Sequence, residues 1–132
     1  VVSVDTKLNE SGEYEVFSEG GTRSTNMNVL EWVKQVELMG AGEILLNSID
    51  CDGFGRGYDM SLLKRCAETV SIPVVGCGGA GKAEHFSECF QQSAVSGLAA
   101  ANIFLHSEIS VHRIKEHVRS MGIAVRPSFL CS

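Results

Sequence analysis

The sequence predicts an α/β fold of parallel strands with helices packed outside them. Three observations predict it. A β-α pattern recurs four times along the 132 residues. The strands are continuous apolar runs, as strands covered on both faces are. The points where strands give way to helices are rich in Gly, Asp and Asn, as at the functional rim of a parallel sheet. Domains run to roughly 100–200 residues, and no linker or low-complexity tract divides the chain, so 1–132 is expected to be one domain. A closed barrel of eight such units takes about 250 residues. This chain alone is too short to be one.

The elements follow in order. Val1-Val2-Ser3-Val4-Asp5 is short and β-branched and closes on a carboxylate, which predicts a buried strand. After the turn signal Asn9-Glu10-Ser11-Gly12, the run Tyr14 to Ser18 alternates in the β sense, so a small hairpin decorates the first connection. Val29, Leu30, Val33 and Val36 fall at helical spacing, and Gly40 supplies the stop. Glu43 to Ile49 is the second strand, followed by the loop Asp50 to Tyr58. Asp59 is an N-cap for a helix that presents Leu62, Leu63, Cys66 and Val70. Pro73 opens a third strand, Val74 to Cys77, which runs into Gly78-Gly79-Ala80-Gly81. Ala83, Phe86, Cys89 and Phe90 mark the third helix, and Gly97 to Asn102 the fourth strand. Val111, Ile114, Val118 and Met121 mark the last helix before Gly122.

Composition excludes several functions. With 44% hydrophobic residues the chain can bury a core, which excludes wholesale disorder. Eleven basic against 16 acidic residues, a formal charge of −5, argue against a nucleic-acid partner. No run approaches the roughly 18 apolar residues of a membrane span, and VVSVDTKLNE has neither the basic nor the apolar region of a signal peptide. Cysteines 51, 66, 77, 89 and 131 are odd in number and form no CxxC pair, a pattern of buried thiols in a reducing compartment. A cytoplasmic protein without a membrane partner is expected. His85, His106, His112 and His117 form no constellation, the last two lying five apart on different faces of one helix, so no metal or other cofactor is expected. Trp32, Phe86 and Phe90 read as helix-face packing, and Cys77, with no histidine placed to activate it, as a small core residue.

The strand ends carry the candidate chemistry. Asp5 closes the first strand, at the mouth of the sheet where burial tunes a carboxylate for proton transfer. A plain strand cap, or an ion pair with Lys7, is the alternative. Gly76-Cys77-Gly78-Gly79-Ala80-Gly81 satisfies G-x-G-x-x-G between strand and helix. A dinucleotide site wants an acidic residue roughly 20 positions on, where Asn102 stands instead. Glycines that let a backbone approach an anion, with helix-terminal N–H groups beside them, make a phosphate cradle with fewer assumptions. A tight turn with no ligand is the lesser alternative for Gly78 and Gly79, and Asp50 and Asp52 are also ordinary turn formers.

These residues resemble a known family. GAGEILLNSIDCDGFGRGYD, IPVVGCGGAGKAEHF and GLAAANIF look like the C-terminal half of the cyclase subunit of imidazole glycerol phosphate synthase, from histidine biosynthesis. The resemblance covers nearly the whole chain and implies the second (βα)4 half of a TIM barrel. It implies a lyase-type cyclase that joins ammonia to a phosphorylated ribulosyl aminoimidazole carboxamide nucleotide, with one acid-base aspartate per half. Asp5 matches the second of these. Asp52, Gly53, Gly78, Gly79, Ala101 and Asn102 match the second-half phosphate site. Glu43 matches a charged gate where ammonia enters from a glutaminase subunit. Some positions depart from the family: Asn102 replaces a usual serine, Cys51 an arginine and Phe54 a threonine, and Phe104-Leu105-His106 stands for Phe-His-Phe. The first half of the barrel is absent. Ser3-Val4-Asp5 and Asn47-Ser48 also resemble a sister group linked to amidation of cell-surface sugars.

Three functions therefore stand open: a cyclase-like enzyme, a phosphate-binding half-barrel without catalysis, and an ammonia-dependent sugar-amidating relative. Four strands leave two open edges and an exposed inner face. A two-fold dimer or higher even assembly is expected to close them and to bury Val2, Val4, Leu46, Val75 and Leu98 or their neighbours.

Overall fold

The computed structural model of the chain describes residues 1–128; Cys131, one of the five cysteines, lies outside them. The elements are β1 (Val2–Leu8), β2 (Tyr14–Ser18), β3 (Arg23–Asn28), α1 (Val29–Leu38), β4 (Ile44–Ser48), α2 (Met60–Thr69), β5 (Val74–Cys77), α3 (Ala83–Gln92), β6 (Gly97–Ala99), α4 (Asn102–His106) and α5 (Val111–Ser120). They form one sheet in the order β3-β2-β1-β4-β5-β6. β1, β4, β5 and β6 run parallel and in sequence order, with Asp5 opposite Asn47, Asn47 opposite Cys77 and Cys77 opposite Ala99. That is the predicted α/β arrangement of four β-α units.

The core lies between sheet and helices. Val4, Ile44, Leu46 and Val74 are buried on that side with Val29, Val33 and Val36 of α1 and Leu62, Leu63 and Cys66 of α2. Truncating a buried leucine such as Leu63 to alanine costs about 2–5 kcal/mol. Gly76 makes room for it, since a Cβ there would meet Leu63 at 2.7 Å and Leu98 at 3.0 Å. Asn28 caps α1 by accepting from the N–H groups of Leu30 and Glu31, and Asp59 caps α2 by accepting from Leu62.

Several expectations need correcting. β1 does not end at Asp5 but continues to Leu8, because β2 folds back on it with Asp5 opposite Phe17 and Leu8 opposite Tyr14. The predicted hairpin has a further strand, β3, and the three form an antiparallel extension. One sheet edge is therefore partly covered: the outer side of β1 lacks a pairing strand, among the described residues, only along Val2–Val4, while β6 lacks one throughout. The fourth strand stops at Ala99, and Asn102 opens the short α4. The alternation along the strands also reassigns the faces. Val4 and Leu46 are already buried under the helices, and Leu98 lies on the same side. The inner face is formed instead by Ser3, Leu45, Val75 and Gly97 low down, and by Asp5, Asn47, Cys77 and Ala99 above. Among the described residues, no helix is long and apolar enough to cross a membrane.

Candidate functional site at the strand ends

Parallel strands deliver their C-terminal ends to one rim, and a cleft of about 230 Å³ opens there. Asp5 reaches it from the inner face of β1. Asp52 and Gly53 enter from the loop after β4, and Gly78 and Gly79 from the loop after β5. Ala101 and Asn102 close it after β6. The eighth predicted residue, Glu43, is not in the cleft. It precedes β4 at the opposite end of the sheet, where its carbonyl accepts from the Val2 N–H at 2.9 Å.

Asp5 is held by a side chain that sequence reasoning did not single out as a partner. Asn47, opposite it on β4, donates from Nδ2 to Asp5 Oδ1 at 3.2 Å. The reverse amide orientation would set an oxygen against the carboxylate, so the hydrogen bond fixes the assignment. Lys7, the alternative partner, lies instead over the Phe17 ring, 5.8 Å from its centroid.

The glycines permit the loops after β4 and β5 to cross in backbone contact. Gly57 N–H donates to the Gly79 carbonyl at 2.8 Å. Gly79 has φ +112°, and a Cβ there would run into the Gly57 carbonyl, as a Cβ at Gly81 would run into that of Gly55. Gly53, on the far side of the cleft, is close to the Asn102 amide, which a Cβ at Gly53 would meet at 3.4 Å. Among the described residues, the backbone N–H groups of Gly53, Gly79 and Asn102 donate to no protein acceptor. Three unused donors around one cleft suit an oxyanion. The Asp52 carboxylate opposes a bare anion and suits a ligand that also carries a hydroxyl or N–H to donate to it.

Two further residues stand behind the crossing loops. The Tyr58 hydroxyl donates to the Ala99 carbonyl at 3.0 Å and ties the loop after β4 to the end of β6; burial pushes this hydroxyl far above the usual tyrosine range. His85, in the first turn of α3, accepts from the Gly81 N–H through Nδ1 at 3.0 Å. Burial holds it below the ordinary histidine range, assisted by Lys82 and opposed by Glu88 and Glu84. The only sequence signals for these two are adjacency: Tyr58 precedes the Asp59 cap, and His85 lies four residues beyond Gly81. Cys77 lines the cleft instead of filling the core, and burial followed by the charge of Asp52 pushes its thiol up, which keeps it a poor nucleophile at neutral pH. Among the described residues, no group of three metal-ligating side chains comes together.

A family model described as histidine biosynthesis protein matches residues 1–110. The chain belongs to the histidine biosynthesis protein family. It is 42% identical over 127 residues to imidazole glycerol phosphate synthase subunit HisF of Geobacillus kaustophilus, covering 96% of this chain and 50% of that protein. The subunit HisF of Natranaerobius thermophilus is 45% identical over 126 residues, with the same 96% and 50% coverage. That of Thermococcus onnurineus is 45% identical over 130 residues, 98% of this chain and 50% of the relative. The chain thus spans about half the length of the curated relatives it matches. Membership of the histidine biosynthesis family agrees with the four parallel β-α units and the outer helices seen in the fold.

Proposed function

We propose that residues 1–132, acting as one (βα)4 unit, form half of a cyclase site in which the strand-end cleft binds one phosphate of a phosphorylated substrate. The backbone N–H groups of Gly53, Gly79 and Asn102 hold the anion, Gly78 and Ala101 shape its bed, and Asp52 accepts from a neighbouring ligand hydroxyl or N–H. Asp5, steadied by Asn47, acts as the acid or base. Glu43, at the far end of the sheet, stands where ammonia from a glutaminase subunit would enter. A second half-barrel, another copy of this chain in a two-fold dimer, pairs with the unpaired edges of β1 and β6 and supplies the other wall of the site.

The observation that supports this reading most is the meeting of Asp5 and three unused N–H donors in one cleft, at the rim where parallel β/α folds place their chemistry. The experiment that tests it is turnover of the family's cyclase substrate with ammonia. The chain is assayed alone and then mixed with the N-terminal half of a curated relative. Weak or no turnover alone and restored turnover in the mixture is the expected result. Folded chain that binds phosphate yet stays inactive in both would leave a phosphate-binding half-barrel without catalysis. Ammonia transfer to a sugar acceptor, with none to the cyclase substrate, would move the chain to the sugar-amidating relatives.

A further inference from the structure

We infer that His85 is the positioning residue that holds the glycine loop of the cleft in its anion-binding form, and that it does so only as the neutral imidazole. This rests on the anion reading above and specifies how that site is kept in register and when it is lost.

The geometry is specific. Gly79 and Gly81 of the loop Gly78-Gly79-Ala80-Gly81 pass closest to the Gly57 and Gly55 backbone of the loop after β4, with Cys51 and Asp52 alongside, and none of the three glycines has a side chain to interlock the crossing. It is tied at two points. One is the bond from Gly57 N–H to the Gly79 carbonyl; the other is the bond from Gly81 N–H to His85 Nδ1. The His85 ring also backs Gly57, where a Cβ would lie 3.6 Å from its Cδ2. One buried side chain, fixed in the first turn of α3, therefore contacts both crossing loops.

An imidazole nitrogen accepts a hydrogen bond only while it lacks a proton. Protonation at Nδ1 would set two donors facing each other at 3.0 Å, the distance of the present bond. The ring or the loop must then move, and the unused N–H of Gly79 moves with the loop. The charged groups acting on the ring are Lys82 just before α3 and Glu84 and Glu88 within it; the crossing loop faces it with Gly57. Burial and Lys82 outweigh the two glutamates and favour the neutral form. At neutral pH the loop is held, and it is released as pH falls below the ordinary histidine range of about 6.5.

The test uses sulfate, whose charge does not change between about pH 7.5 and 5, and two variants of the whole chain. Asn in place of His85 sets an amide oxygen near the Nδ1 position with no proton to gain; Leu keeps bulk and removes the acceptor. Wild type should bind sulfate about tenfold more weakly at the lower pH, the scale of one lost hydrogen bond. His85→Asn should bind with no such loss across the range. His85→Leu should be about tenfold weaker at both values, and its Gly81 amide should exchange faster. Equal sulfate affinity in wild type and His85→Leu, or the same pH profile in wild type and His85→Asn, overturns the role of His85 while leaving the anion site standing. If His85→Leu does not fold, the comparison of wild type with His85→Asn decides alone. Wild type that binds no sulfate at about pH 7.5 overturns the anion site itself, and the positioning role with it.

Discussion

Asp5 and Asn47 face each other across β1 and β4, and a hydrogen bond from the amide holds one oxygen of the carboxylate at the cleft. If Asp5 moves a proton in turnover, Asp5→Asn should lower kcat of the reconstituted enzyme by about 10²–10⁴-fold, the range for a positioned acid or base. Phosphate affinity should stay nearly unchanged, because the proposed anion donors are backbone groups that follow other strands. Equal turnover in the variant would make Asp5 structural. Gly79 offers a separate test of the loop crossing. Gly12 and Gly79 both have positive φ, but a Cβ at Gly12 meets open space whereas one at Gly79 meets the Gly57 carbonyl. Gly12→Ala should cost only the conformational strain, about 1–2 kcal/mol. Gly79→Ala should cost about 1–3 kcal/mol more, the scale of forcing an atom into a packed site. Urea unfolding of both variants measures the difference, and equal losses would contradict a tight crossing.

The antiparallel extension is joined to the rest of the fold by the Tyr14 hydroxyl, which donates to Asp59 Oδ1 at 2.8 Å, and by the Leu8 N–H, which donates to Asp50 Oδ2 at 2.7 Å. Asp59 also caps α2, so Asp59→Ala removes both a cap and an acceptor and should destabilise by about 1–3 kcal/mol. Burial and then Asp59 raise the Tyr14 hydroxyl to about 12. The neutral phenol is thus favoured by folding, and its contribution is present below pH 10 and lost as pH rises towards 12. In Asp59→Ala the ultraviolet titration of Tyr14 should begin at lower pH; an unmoved curve would mean that burial alone sets it. The parallel units were legible because their apolar runs and turn glycines are local signals. β3 was not: Arg23–Asn28 is polar except for the exposed Met27, and it is a strand through bonds it makes elsewhere, such as Thr25 Oγ1 to the Val16 carbonyl at 2.6 Å. α4 spans five residues, too few to display a helical period. In the cleft, the glycines and Asp5 could be seen in the sequence as unusual residue types at strand ends. Tyr58 and His85 could not, because what places them is contact between two loops that are distant in sequence.

Taken whole, the described residues leave an open outer edge on β6, a half-covered edge at β1 and an inner face carrying Leu45 and Val75 beside Ser3 and Asp5. A second groove, of about 470 Å³, opens between α3, α5 and the segment before Arg126, lined by Phe90, Leu98, Phe104 and Val125. Open edges with apolar surface on both sides favour closure on another half-barrel. Sedimentation at micromolar concentration should therefore give a dimer or a higher even assembly, and a stable monomer of 14.2 kDa would contradict closure. Such a dimer carries one cleft per copy, related by the two-fold axis, so every copy should respond alike to an anion. The most direct test is a titration of the ¹⁵N-labelled chain with inorganic phosphate at about pH 7.5. Saturable amide shifts centred on Gly53, Gly79 and Asn102 are the predicted result. No shifts at these three amides, or shifts spread over the lysine and arginine side-chain surface, would contradict a phosphate site at the strand ends.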